Sequence, residues 1–384
     1  MPEFDEHYMP DVSDSYEWLA GQVKDRAGKA DITKLVDGYL STAINEESTQ
    51  NVIERLQSEL ERIKMGTTVR QDIGRTLTDI KSDMEREYVE RESGRSFTIW
   101  KTPYESLNDV IGGFFTNDVY GIMAESGRGK TYLVVMILDC LLRQGAKVLV
   151  KSFEVKEYSL IARLISVITS QEGVYNVEDT SERLGIPVRS ILSGKVEEHV
   201  RDNYFDVLRN LDSYYDGELY LQTKGQEELT RSLDDLEREL ATGQVDVAII
   251  DPFYSLDDVY GRNANKTTGG AADEAAARFE TIIGKYGVVG MYTVQAEVKK
   301  KEKTDEGMRE LRLPTREDVK TSKRLLAIAT ILLSFDSVKA PDEVAGQALI
   351  GVEKGRDGGE DLEIELVSML DYGVLKEPDV TDQF

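Results

Sequence analysis

From about residue 97 onward, short continuous apolar runs alternate with longer mixed stretches. The segments 119–123, 148–152, 247–251, 288–294, 328–335, 348–352 and 362–367 read as strands. Several are apolar at every position rather than at every second one, the pattern of strands covered on both faces. The expectation is an α/β domain over 96–384 built on a mostly parallel, twisted, doubly wound sheet, with any antiparallel pairing among the later strands. Between Ile165 and Val245 the pattern is helical, with turn signals at Gly185-Ile186-Pro187 and Asp216-Gly217.

Residues 1–95 differ, being acidic and without a strand pattern. Val52, Leu56, Leu60 and Ile63 mark one helical face, ended by Gly66. Val69, Ile73, Leu77, Ile80, Met84 and Tyr88 mark a longer helix, about 68–91, with Thr68 and Gln71 as its capping box. Its stripe needs cover, either inside a small N-terminal bundle or on a neighbouring subunit. The stretch 90–96 reads as a linker.

One stretch carries chemistry outright. Ala124-Glu125-Ser126-Gly127-Arg128-Gly129-Lys130-Thr131 lies between the buried run 118–123 and the apolar helix 132–138, the strand–turn–helix setting of a phosphate-binding loop. Small residues let backbone amides curl around phosphates and the helix N-terminus adds positive charge. Lys130 can reach the β- and γ-phosphates, and the Thr131 hydroxyl can ligand Mg²⁺. Ala124 stands where the pattern has Gly. Asp251 ends the apolar strand 247–251, where an acid can hold the metal opposite Thr131. Glu154, just past the strand 148–152, can orient and polarise the attacking water, or cap the helix that follows.

Composition narrows the reading. The 384 residues carry a net charge of -25 and 40% hydrophobic residues, enough for a large domain plus a smaller module. The acidity argues against a uniformly basic nucleic-acid binder but leaves room for local cations in a cleft. No apolar run approaches a membrane span and no signal-peptide pattern opens the chain, so a soluble protein is expected, and a lone cysteine suits a reducing cytosol. Two histidines far apart and a lone Cys140 make a zinc site or a His-based triad unexpected. Cys140, within an apolar helix, reads as a small core residue.

Ser152-Phe153-Glu154-Val155, followed by Leu160 and Arg163, resembles the segment after the second core strand of the DnaB-like replicative helicases, hexameric ATPases of the RecA fold. Gly185-Ile186-Pro187, Ser193-Gly194-Lys195, Leu219-Tyr220-Leu221 and the strand ending at Asp251 follow in that family's order, over about 97–370. The resemblance implies a RecA-like P-loop core using ATP and Mg²⁺. It implies roles for Lys130 and Thr131 on nucleotide and metal, Glu154 on water, Asp251 on the metal and Gln295 as a γ-phosphate sensor. Lys354 and Arg356 match the family's Lys-x-Arg, whose cations reach into the neighbouring subunit's site. Such a finger in trans makes hydrolysis depend on assembly.

The same resemblance implies a homo-oligomer, a hexameric ring on single-stranded DNA, with a primase and a helicase loader as candidate partners. Two loops should face its channel. One holds Arg262 and Lys266; the other, after Gln295, holds Lys299, Lys300, Lys301 and Lys303, with Lys320, Lys323 and Arg324 further on. No aromatic residues interleave with these lysines, so contacts would be to backbone phosphate. Glu302, Asp305, Glu306 and Glu310 lie among them, so the second loop also fits a merely solvated segment. Ser322–Thr330 replaces the acidic, Gln-containing segment usual in the family. The function expected is an ATP-dependent DNA helicase; a recombination ATPase of the same core and an ATP-switched loading factor are the alternatives.

Overall fold

The computed structural model describes residues 16–46, 48–49, 51–52, 55–56, 59–60, 63, 74–93, 98–177, 183–260, 268–298, 309–319, 323–339, 344–356 and 358–378. The chain divides into two compact units, Met1–Ser93 and Gly94–Phe384.

In the first unit, α1 (Tyr16–Lys34) runs through a π-helical stretch, Leu35–Leu40, into α2 (Ser41–Glu46). Leu35, Ala43, Val52 and Ile63 are its buried apolar residues. The longer helix, α3, is Leu77–Glu92, nine residues shorter at its start than the periodicity suggests. Gly74 takes a φ of 126°, which breaks a right-handed helix. Thr76 then caps α3: its side chain accepts from the Asp79 amide while the Asp79 carboxylate accepts from the Thr76 amide. Thr68 and Gln71 lie outside the described residues. Leu77, Met84, Tyr88 and Val89 of α3 are exposed.

The second unit begins with a small antiparallel pair, β1 (Ile99–Trp100) and β2 (Phe114–Phe115), around α4 (Glu105–Ile111). Among the described residues the main sheet has nine strands: β3 (Val119–Glu125), β4 (Lys147–Ser152), β5 (Glu218–Thr223), β6 (Val247–Asp251), β7 (Val289–Ala296), β8 (Ile331–Lys339), β9 (Gly346–Gly355), β10 (Glu363–Met369) and β11 (Val374–Lys376). Their order is β11-β10-β9-β8-β3-β7-β6-β4-β5. From β5 to β8 every pairing is parallel; β8 to β11 are antiparallel.

Each central strand feeds two cores by alternation, the reason its run is apolar throughout. On one face Ile122, Val150, Ile249 and Met291 pack with α5 (Lys130–Arg143) and α6 (Glu157–Glu172). On the other, Met123, Leu149, Ile250 and Tyr292 pack with α9 (Leu233–Leu240), α10 (Thr268–Tyr286) and α11 (Lys323–Ile328). Between these come α7 (Val188–Ser193) and α8 (Glu198–Arg209).

Two expectations are corrected. The strand placed at 328–335 begins at Ile331, because Ile328 ends α11; the mostly apolar run 325–335, interrupted only by Thr330 and Ser334, holds both elements, and periodicity does not divide it. The stretch 165–245 is not wholly helical but contains β5, a sheet edge whose central residues, Leu219 to Gln222, are only partly buried. Among the described residues no helix is long and apolar enough to cross a membrane.

Candidate nucleotide site

The loop from Ser126 to Gly129 joins the carboxyl end of β3 to α5. Ala124 does not belong to the turn. It is a regular strand residue, paired with Gln295 of β7 and Phe335 of β8, and its methyl is buried. The left-handed backbone falls instead on Gly127 (φ 72°) and Gly129 (φ 90°), which explains why Ala suffices at 124. Gly129 caps α5, and a Cβ there would meet Leu370 Cδ1 at 2.7 Å. Ser126 and Gly127 are exposed; Arg128, Lys130 and Thr131 are half-buried.

Lys130 turns back across the sheet. Its Nζ lies 3.2 Å from Asp251 Oδ1, and the Asp251 carboxylate, 2% exposed, also accepts from the Thr293 hydroxyl on β7. The pair is nearly dry, so an incoming phosphate would meet a cation paired with one buried carboxylate.

A second group forms at the neighbouring strand ends. Glu154 is exposed beyond β4, and its Oε1 accepts from the Tyr254 hydroxyl at 2.9 Å. The same hydroxyl oxygen lies 3.3 Å from Gln295 Oε1. One phenolic proton serves one acceptor at a time, so the Gln295 amide satisfies the geometry best turned over, donating to Tyr254 while Tyr254 donates to Glu154. Burial, then the bond to Glu154, push the Tyr254 phenol well above its ordinary value, so it remains a donor through neutral pH. Tyr254 sits in a one-turn 3-10 helix, Phe253–Ser255. Sequence reasoning missed it, since nothing in its local pattern marks it.

The structure thus brings Lys130, Asp251, Glu154, Gln295 and Tyr254 to the carboxyl ends of β3, β4, β6 and β7. It leaves Lys354 and Arg356 elsewhere. Lys354 pairs with Leu332, and Tyr120 with Ile331, so both cations sit level with the amino end of β3. Lys354, through Leu332, is level with Gly121, five residues before Ser126, and Arg356, bonded to the Thr330 carbonyl, lies further still, a separation of at least about 17 Å at ~3.3 Å per residue. Lys354 Nζ donates to the carbonyls of Ala327 and Ala329, each at 2.5 Å, closing the end of α11. Burial, and then Arg356 and Arg316 nearby, lower its proton affinity. Arg356 donates to Ile328 O and pairs with Glu280 Oε1, both at 3.2 Å.

Of the cations assigned to DNA, Arg262, Lys266, Lys299, Lys300, Lys301, Lys303 and Lys320 lie outside the described residues. Lys323 and Arg324 open α11, and Arg324 approaches Glu280 to 3.9 Å, beside Arg356 rather than beside the phosphate loop. Cys140 is half-buried in α5, and its thiol is pushed up to about 11 by burial and then by Asp139.

A family model described as AAA domain matches residues 89–300. Among solved structures the chain is similar to one described as a DnaB-like replicative helicase and its interactions with primase. The TM-score is 0.62 at 14% identity, covering 96% of this chain and 81% of that one. It is also similar to a second structure, described as an ATPase domain, with a TM-score of 0.58 at 16% identity, covering 80% of this chain and 100% of that one. At such identities the likeness is one of fold. No curated protein matches the chain.

Proposed function

The chain belongs to the AAA domain family, and from that footing we propose that it is an ATP-dependent DNA helicase. It assembles head to tail into a hexameric ring, moves along single-stranded DNA and hydrolyses ATP between subunits. The single observation that carries this reading is the separation of Lys354 and Arg356 from their own phosphate loop by most of the length of β3. Cations that far from one site can serve hydrolysis only at another subunit's site, and a repeated head-to-tail contact is what rings are made of.

The residues fit Mg²⁺ and ATP. Left-handed turns at Gly127 and Gly129 open the loop backbone at the start of α5, and a cation and a buried carboxylate stand together beside it. Residues 126–131 cradle the phosphates, Thr131 and Asp251 hold the metal, and Lys130 leaves Asp251 for the β- and γ-phosphates. Mg²⁺, when bound, neutralises charge on the phosphate oxygens. Glu154 orients the attacking water and takes its proton, with Tyr254 fixing the carboxylate. Gln295, touching Tyr254, responds to the γ-phosphate. Arg356, released from Glu280, and Lys354 stabilise charge on the transferring phosphoryl group of the neighbouring subunit. The cations at Arg262, Lys266, Lys299, Lys300, Lys301, Lys303 and Lys320 contact the DNA backbone, with Lys323 and Arg324 adding charge. A primase and a loader are the protein partners this reading entails, in the cytoplasm where replication proceeds.

The test mixes two inactive variants, Lys130→Ala and Arg356→Ala, under conditions of subunit exchange. Random co-assembly completes about a quarter of the interfaces, so ATPase activity should return to about that share of wild type. No recovery would refute a site completed in trans. Absence of both DNA-stimulated ATPase and fork opening would favour an ATP-switched loading factor.

A further inference from the structure

Asp336 lies inside β8, is 1% exposed and has no part in the site described above. Its carboxylate is held on both oxygens by Arg309, each at 2.6 Å, and Oδ2 also accepts from the Arg312 amide at 2.8 Å. Arg309 further donates to the Ser337 carbonyl at 2.9 Å, and its side chain is 14% exposed. The next link returns to the nucleotide: the Ser337 hydroxyl donates to the carbonyl of Arg128, within the phosphate loop, at 2.7 Å. The Arg128 Nε is 3.5 Å from buried Glu125 and 3.9 Å from Asp336. Glu125, Arg128, Asp336 and Arg309 therefore form an alternating row of four charges, two of each sign.

A buried, bidentate ion pair is a poor way to gain stability, because its desolvation roughly cancels its attraction. Its geometric effect is plain, however: it ties Arg309 to β8. Arg309 lies 12 residues beyond Glu297, whose amide is held by the Asp318 carbonyl just past β7, the strand that carries Gln295. We infer that Asp336, with Arg309 and Ser337, is a positioning device that couples the phosphate loop to the segment Arg309–Arg312. A change in the loop backbone at Arg128 is felt by Ser337 through one hydrogen bond, and by Arg309 through the same residue's carbonyl. Redistribution of charge on Arg128, as phosphates arrive, alters the field at Asp336. The segment Arg309–Arg312 thus receives the nucleotide signal separately from the Gln295 side. Its use in DNA-stimulated hydrolysis rests on the helicase reading; the coupling itself does not.

The experiment is limited trypsin digestion of the full-length protein with and without Mg²⁺ and ATPγS, scoring cleavage after Arg312, whose side chain is exposed, by mass spectrometry. In wild type the cleavage rate should change at least about fivefold on nucleotide addition, the low end of ordinary coupling between sites. Two variants should reduce that change to less than about twofold while ATPγS still binds. One is the paired replacement Arg309→Met with Asp336→Leu, which swaps the ion pair for apolar groups of similar size. The other, Ser337→Ala, removes only the bond to the Arg128 carbonyl and carries the test if the first does not fold. A wild-type rate indifferent to nucleotide, or full sensitivity in Ser337→Ala, would overturn the inference. Loss of DNA stimulation in wild type, with the nucleotide-dependent cleavage intact, would sink the helicase reading and leave the coupling standing.

Discussion

Replacing Tyr254 by Phe removes one oxygen atom and little else. That oxygen is 2.9 Å from Glu154 Oε1 and 3.3 Å from Gln295 Oε1, so its loss frees two side chains at once. A hydrogen bond to a charged group contributes about 1.5–3 kcal/mol when well buried. Glu154 is exposed and water can replace the lost donor, so about 1 kcal/mol is the fitting figure. If the bond fixes the carboxylate that activates water, that energy appears as lost orientation in the transition state. The expected result is a fall of about fivefold in kcat. The KM for ATP should stay within a factor of about two, since Tyr254 is not called on to hold phosphate. Steady-state ATPase measurement at saturating single-stranded DNA gives both numbers. An unchanged or faster kcat would show that Tyr254 does not position Glu154, and the assignment of Glu154 as water-activating residue would lose its structural support.

Two other perturbations test the loop and the helix it opens. Gly129→Ala places a Cβ on a backbone at φ 90°, 2.7 Å from Leu370 Cδ1, and should weaken ATP binding at least about tenfold, measurable by fluorescent nucleotide titration. With its thiol at about 11, Cys140 exposes far less thiolate at pH 8 than it would at the unshifted value of 9.0. Alkylation should therefore run about a hundredfold slower in the native protein than in denaturant, and the native rate should climb with pH until about 11.

Much of this molecule is legible in its sequence, and for identifiable reasons. Strands buried on both faces announce themselves as apolar runs, so β3, β4, β6 and β7 fall within a few residues of expectation. Asp251 and Glu154 were visible because strand ends in such sheets are where ligands sit. What escaped depends on contacts between distant residues. Arg309 counts among the cations of a basic stretch until the fold supplies Asp336, 27 residues later, as its partner. Tyr254 gains meaning only when β4 and β7 bring Glu154 and Gln295 to it. The helix α11 is hidden because only Ala329 and Thr330 separate its apolar residues from those of β8. Ala124 looked anomalous only while it was counted as part of the turn; as a paired strand residue it has no special backbone to adopt.

The distance between the phosphate loop and the pair Lys354 and Arg356 also bears on numbers of subunits. On the proposed reading, each chain presents half of one hydrolytic centre at one end of its sheet and the complementary half at the other. A row of n such chains has n−1 complete centres and two unmatched halves at its extremities. Bending that row until its ends meet adds a centre without adding a chain, and leaves no subunit distinguishable from the rest.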